Sequence, residues 1–175
     1  MRYRILFLSV VGILLGTLIL IGQGKPHSLK AELTGYEEVP ASLSSPASGE
    51  FQAQVDSSET ELTYVLQYSG FTATVTQGHI HFGARAQSGG ISIWLCGCAT
   101  NSGPVGTPLC PQNAGTVVRT VTAADVVGPA GQGIAAGEFA EILAAMRAGV
   151  AYANIHTSAF PGGEIRGQIR GNVQP

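Results

Sequence analysis

The sequence predicts a mostly all-β domain, a sandwich or barrel of short strands with one short α-helix before the last two strands. Three observations lead there. Only 11% of the 175 residues are charged and 24 are glycine, while 45% are hydrophobic; ordinary soluble domains carry about 25% charge and ~7% glycine. Such a chain has a core to bury and many turns to make. Apolar and polar residues alternate in short runs parted by turn-forming residues, the pattern of half-buried strands. One segment of the body, near the C-terminus, breaks that pattern with a helical period. Several short strands between turn signals favour a sandwich or barrel over a parallel sheet.

The first element is an address. Met1-Arg2-Tyr3-Arg4 carries two positive charges, Ile5 to Ile21 carries none over 17 residues, and Gly22-Gln23-Gly24 supplies small residues. This is the layout of a secretory signal. The apolar run is slightly short for a comfortable span of ~20 residues, so residues 1–24 read as a cleaved signal, with a retained N-terminal anchor as the alternative. No cysteine follows the run, so a lipoprotein anchor has no support. Cleavage after Gly24 removes Arg2 and Arg4 and moves the formal charge from −2 to −4. Residues 25–175 form a single domain, long enough for a core. Its expected location is extracytoplasmic: secreted, periplasmic or in the cell envelope. It meets a membrane only through the N-terminal segment, if uncleaved.

The strands follow in order. Ser28 to Tyr36 is the first. Gly49 to Asp56 alternates strictly; Ser57 to Thr60 turns the chain; Leu62 to Tyr68 is the hairpin partner. Pro40 to Ser48 is small and polar and reads as a long surface loop. Gly78 to Phe82 and Ile91 to Cys96 are two strands around a glycine-rich loop, and Thr116 to Thr122 is another. In Glu138 to Ala148 the apolar residues Phe139, Ile142, Leu143 and Met146 share one helical face. Glu138 and Glu141 suit its N-terminal end and Arg147 its C-terminal end, and Gly149 is placed to stop it. Val150 to His156 and Glu164 to Arg170 are the last strands.

A net charge of −2 with no long run of one sign excludes nucleic acid as the main partner, because phosphate binding needs clustered cations. No Gly-x-Ser-x-Gly elbow is present, and no spacing of carboxylates singles out a glycosidase pair. Gly162-Gly163 has no following lysine or helix, so it is a tight turn rather than a phosphate loop. The balance leans away from an enzyme.

The cysteines are Cys96, Cys98 and Cys110. Secreted proteins tend to pair them. Cys96 and Cys98 are too close on an extended strand to bond each other without strain, so one of them pairs with Cys110 and one thiol is left over. A Cys-x-Cys metal clamp is the competing reading; zinc sites more often use Cys-x₂₋₄-Cys with further ligands.

Histidine carries the chemical signal. His79-Ile80-His81 puts two imidazoles on one face of a strand. In Tyr152-Ala153-Asn154-Ile155-His156, residues Tyr152, Asn154 and His156 share a face. If the two strands are neighbours, three imidazoles converge, and three histidines around an open position suit copper or zinc rather than calcium. The alternative is a polar, hydrogen-bonding seam without metal. The fourth histidine, His27, is set aside, because Pro26 has no N–H to surrender to an N-terminal copper site.

Three segments together resemble the CHRD domain, named after chordin and also found in bacterial secreted proteins: Leu33-Thr34-Gly35-Tyr36-Glu37-Glu38-Val39-Pro40, Gly78-His79-Ile80-His81-Phe82-Gly83, and Ala148 to Thr157 running on to Phe160-Pro161-Gly162-Gly163-Glu164-Ile165-Arg166-Gly167-Gln168-Ile169. The likeness covers about Ala31 to Arg170. In bacterial members a Cys ends the strand after the His-x-His loop and a Cys-Pro follows, which implies Cys96–Cys110 as the pair and Cys98 as the extra thiol. The family in turn is similar to Cu,Zn superoxide dismutase, which implies an Ig-like Greek-key sandwich. The departures are a missing fourth copper histidine, no bridging histidine and no zinc loop. The nearest match to the dismutase's guiding arginine is Glu164, and an acid there repels an anionic substrate.

In the last strand Glu164, Arg166, Gln168 and Arg170 form a polar face. One reading is a solvated face with weak ion pairs. The other makes Glu164 or Arg166, with Asn154 and Tyr152 as further candidates, outer partners of metal-bound histidines. The functions that follow are a secreted metal protein on His79, His81 and His156 with copper ahead of zinc, a metal-free module binding an unknown protein or envelope partner, and, disfavoured, a dismutase-type enzyme.

Overall fold

In the computed structural model, residues 27–171 are described; the expected signal or anchor at 1–24 lies outside them. Nine strands form: β1 Ser28–Thr34, β2 Ser48–Val55, β3 Glu61–Ser69, β4 Val75–Phe82, β5 Gly90–Cys96, β6 Gly115–Thr122, β7 Ala151–Thr157, β8 Ile165–Gln168 and β9 Arg170–Gly171. One α-helix forms among the described residues, α1 Phe139–Arg147, and precedes β7.

The strands run in the order β5-β4-β7-β8-β1-β2-β3-β6, with β9 beside β1, and their ladders are antiparallel. β5, at one end of that row, bridges from Ile93 to Val126 in the segment just after β6, the other end, so the sheet curls into a nearly closed barrel. β4 pairs with β5 and β3 with β6, so the chain crosses between the two ends of the row after β3 and again after β5.

Alternation builds the core. Leu29 and Leu33 of β1, Phe51 of β2, Leu62 and Leu66 of β3 and Ile155 of β7 all point inward with no exposed surface. Tyr64 is also fully buried; its hydroxyl crosses the interior to donate to the Leu95 carbonyl on β5, 2.5 Å away. That contact satisfies a polar group which would be costly to bury unpaired. The helix buries Phe139, Ile142, Leu143 and Met146, each at most 5% exposed, and packs on β7 and β9. Gly149 stops it with φ +70°, the left-handed conformation glycine adopts without strain.

The expected strand Glu164–Arg170 is interrupted. Ile169 separates β8 from β9, its N–H going to the Ala151 carbonyl of β7; β8 lies between β7 and β1, while β9 pairs with β1. The stretch 40–47 is a loop as expected, but not purely a surface one: Ala47 is buried and Ser45 reaches into the sheet. Cys96 and Cys110 are joined as a disulfide, and Cys98 is free. Among the described residues no helix is long and apolar enough to cross a membrane.

Candidate metal centre

β4 and β7 are neighbours. Their register sets His79 opposite Asn154, His81 opposite Tyr152 and Gln77 opposite His156. The outward side chains of both strands therefore interleave on one patch, and the three histidines gather there with one ring nitrogen each, all within 4.8 Å of one another. Their ring centres are 5.1 to 5.9 Å apart.

Hydrogen bonds set which nitrogens face inward. Nδ1 of His81 lies 3.0 Å from the Gly89 carbonyl, and Nδ1 of His156 lies 3.0 Å from the Pro161 carbonyl. A carbonyl only accepts, so each Nδ1 carries the hydrogen and each Nε2 of the neutral ring keeps its lone pair. Nε2 of His156 is 3.3 Å from Nδ1 of His79. Nε2 of His79 and Nε2 of His81 are buried and have no hydrogen-bond partner among the described residues. Buried polar atoms rarely stay unpaired in native proteins, and such exceptions often mark a missing ion or a functional site. This donor set fits a metal. It is three imidazoles, two of them oriented through their other nitrogen as metal-bound histidines usually are.

Burial keeps these rings neutral. His79 is unexposed, His81 and His156 are 7% and 6% exposed. Desolvation pushes His79 down to about 2, helped by the charges of its two histidine neighbours, and His81 down to about 4, helped by His156 and Arg166. Desolvation also lowers His156. Neutral imidazole is the form that ligates.

The four other residues singled out in the sequence stand around this cluster in different ways. The Tyr152 ring stacks on His81, centres 4.8 Å apart and nearly parallel, and its hydroxyl accepts the Gly89 N–H. The Arg166 guanidinium lies on the opposite side, 3.5 Å from the centre of the Tyr152 ring, and donates to the Ala84 carbonyl. Asn154 donates to Glu38 and to the Ile165 carbonyl. Glu164 accepts from Thr157 and Ser45. Arg166 and Glu164 are each 3% exposed, so the face beginning at Glu164 is not solvated there.

Two neighbours went unrecognised in the sequence. Trp94 of β5 packs perpendicular to His79, centres 4.2 Å apart. Glu38 is buried beneath Asn154, and desolvation raises its carboxyl to about 7. Neither position differs in local pattern from an ordinary strand aromatic or loop acid. The closing turn fits closely as well: a side chain at Gly163, whose φ is +130°, would meet Asn154 and Glu38 at 2.7 and 2.8 Å.

Fold and site together define a class: a nearly closed antiparallel β-barrel with a buried three-histidine cluster on its outer face and a disulfide at the end of β5. The family model of the CHRD domain matches residues 29–169, and the chain belongs to that family. No curated protein and no solved structure matches it. Membership and the disulfide are both consistent with an extracytoplasmic location.

Proposed function

We propose that this is an extracytoplasmic CHRD-domain protein that holds one metal ion on His79, His81 and His156, copper ahead of zinc, and serves as a carrier, sensor or redox centre. The observation that carries this reading is the convergence of three buried imidazoles, one ring nitrogen of each lying within 4.8 Å of the others. Three histidines with an open position suit either ion; copper is put first on the family's similarity to the copper-binding dismutases. The leader-like N-terminus and the disulfide support an oxidising compartment.

The test is metal content by mass spectrometry on protein isolated from its native envelope fraction, beside a His79→Ala/His156→Ala double variant. About one copper per wild-type chain, lost in the variant, is the expected result. Metal-free wild-type protein that also takes up no copper or zinc at micromolar levels would overturn it. In that case the cluster is a hydrogen-bonding seam and the domain an interaction module.

A further inference from the structure

We infer that the three-histidine site selects copper in its monovalent state, and that Arg166, acting through Tyr152, strengthens that choice. The inference rests on the proposal that the site holds copper and asks which charge of the ion the surroundings favour.

The donors are neutral. No carboxylate or thiolate joins the group among the described residues. The two buried acids nearby are engaged elsewhere: Glu164 by the hydroxyls of Thr157 and Ser45, and Glu38 by the amide of Asn154. An ion placed here therefore keeps its full charge in a site whose rings are at most 7% exposed. The cost of removing an ion from water grows with the square of its charge, so a divalent ion bears about four times the penalty of a monovalent one. Divalent copper and zinc usually reduce that penalty with anionic ligands or water, and they want four or more donors.

One fixed charge stacked against the cluster has the wrong sign for a divalent ion. Arg166, Tyr152 and His81 form one stack: guanidinium on phenol at 3.5 Å, phenol on imidazole at 4.8 Å. Arg166 thus stands behind the ligand ring, where burial weakens solvent screening of its field while Glu37 and Glu38 oppose part of it. Across roughly 10 Å at an effective dielectric constant of ~20, one unit of extra metal charge is disfavoured by about tenfold. Trp94 covers the His79 side with an apolar ring, adding no compensating charge. Arg166 is a positioning residue here; it touches Tyr152, not the ion.

The experiment is competition binding on the full-length protein. Cu(I) is titrated without oxygen against bathocuproine disulfonate, and Cu(II) and Zn(II) are titrated against nitrilotriacetate. Wild type, Arg166→Gln and Arg166→Lys are compared, with circular dichroism as the check on folding. Wild type is expected to bind Cu(I) more than about a hundredfold tighter than Cu(II) or Zn(II), charge squared being the dominant penalty. The Cu(I) to Cu(II) affinity ratio is expected to fall by about tenfold in Arg166→Gln and to recover in Arg166→Lys, which keeps the charge. A loosened fold weakens both copper ions together and leaves the ratio unmoved, so the ratio separates the electrostatic role from a structural one. Equal wild-type affinity for Cu(I) and Cu(II), or a ratio that ignores residue 166, overturns this inference while leaving the metal site standing. Binding of none of the three ions overturns the metal proposal itself. The wild-type ratio decides the selectivity even if the Arg166 variants fail to fold.

Discussion

The barrel has two outward faces built from the same alternation, and they end in opposite environments. Over β1, β2 and β3 the outward residues Glu32, Gln52, Gln54, Thr63 and Gln67 are exposed. Over β4, β7 and β8 the outward residues His79, His81, Tyr152, Asn154, His156 and Arg166 are at most 7% exposed. The difference is cover. The turn from 83 to 89 lends the carbonyls of Gly83, Ala84 and Gly89 to Gln168, Arg166 and His81. The segment after β1 sends Glu38 and Ser45 into the sheet, and the turn before β8 places the Pro161 carbonyl on His156. Once covered, every polar group on that face needs a protein partner, whereas its counterparts on β2 and β3 stand open to solvent. A polar strand face is thus a surface or a site according to what lies over it.

Acid should break the comparison most strongly. Burial depresses His79 to about 2, His81 to about 4, and His156 below its ordinary value of 6.5. Their contribution to stability is complete above about pH 6.5 and is lost as the pH falls toward the folded values. Glu38 acts in the opposite sense: raised from 4.5 to about 7, it contributes fully below pH 4.5 and loses that contribution as the pH rises to about 7. Between those limits, in the metal-free protein, His79 and His81 oppose one carboxyl and His156 adds in their sense, so unfolding takes up at least about one proton. Each is worth about 1.4 kcal/mol per pH unit, and acidification from pH 6.5 to 4.5 should lower the unfolding free energy of the metal-free protein by roughly 2–3 kcal/mol or more. Denaturant melts across that range check it; a flat profile would mean that water reaches the cluster.

Amide removal on each face sharpens the contrast. Asn154→Ala strands the Glu38 carboxyl and the Ile165 carbonyl in the interior and should cost roughly 2–4 kcal/mol. Gln52→Ala, on the exposed face, should stay within about 0.5 kcal/mol of wild type. Urea midpoints of the two variants read the difference directly, and similar shifts would refute the claim that the faces differ in solvation. Between these lies Gly163→Ala. Its strained φ and its crowding of Asn154 should cost about 1–3 kcal/mol, with metal affinity falling alongside because Pro161 in the same turn orients His156.

Much of this was legible in order along the chain. Strict alternation from Gly49 to Asp56 and from Leu62 to Tyr68 identified a hairpin, and the 3.6-residue spacing of Phe139, Ile142, Leu143 and Met146 identified the helix. The break at Ile169 was not legible, because it comes from a bond to Ala151 on another strand. Nor was the burial of Glu38, whose neighbour Glu37 is half-exposed in the same short segment. The 40–47 loop has a surface composition, yet Ser45 meets a carboxyl 119 residues away.

The sequence by itself determined what period can encode. It put His79 with His81, and His156 with Tyr152 and Asn154, because side chains two apart on a strand share a face. Tertiary structure alone decided that β4 lies beside β7, that three loops close over the pair, and that a polar face became a dry cluster of histidines. Those outcomes depend on contacts between residues far apart in the chain, and local alternation is the same whether a strand face meets water or a covering loop.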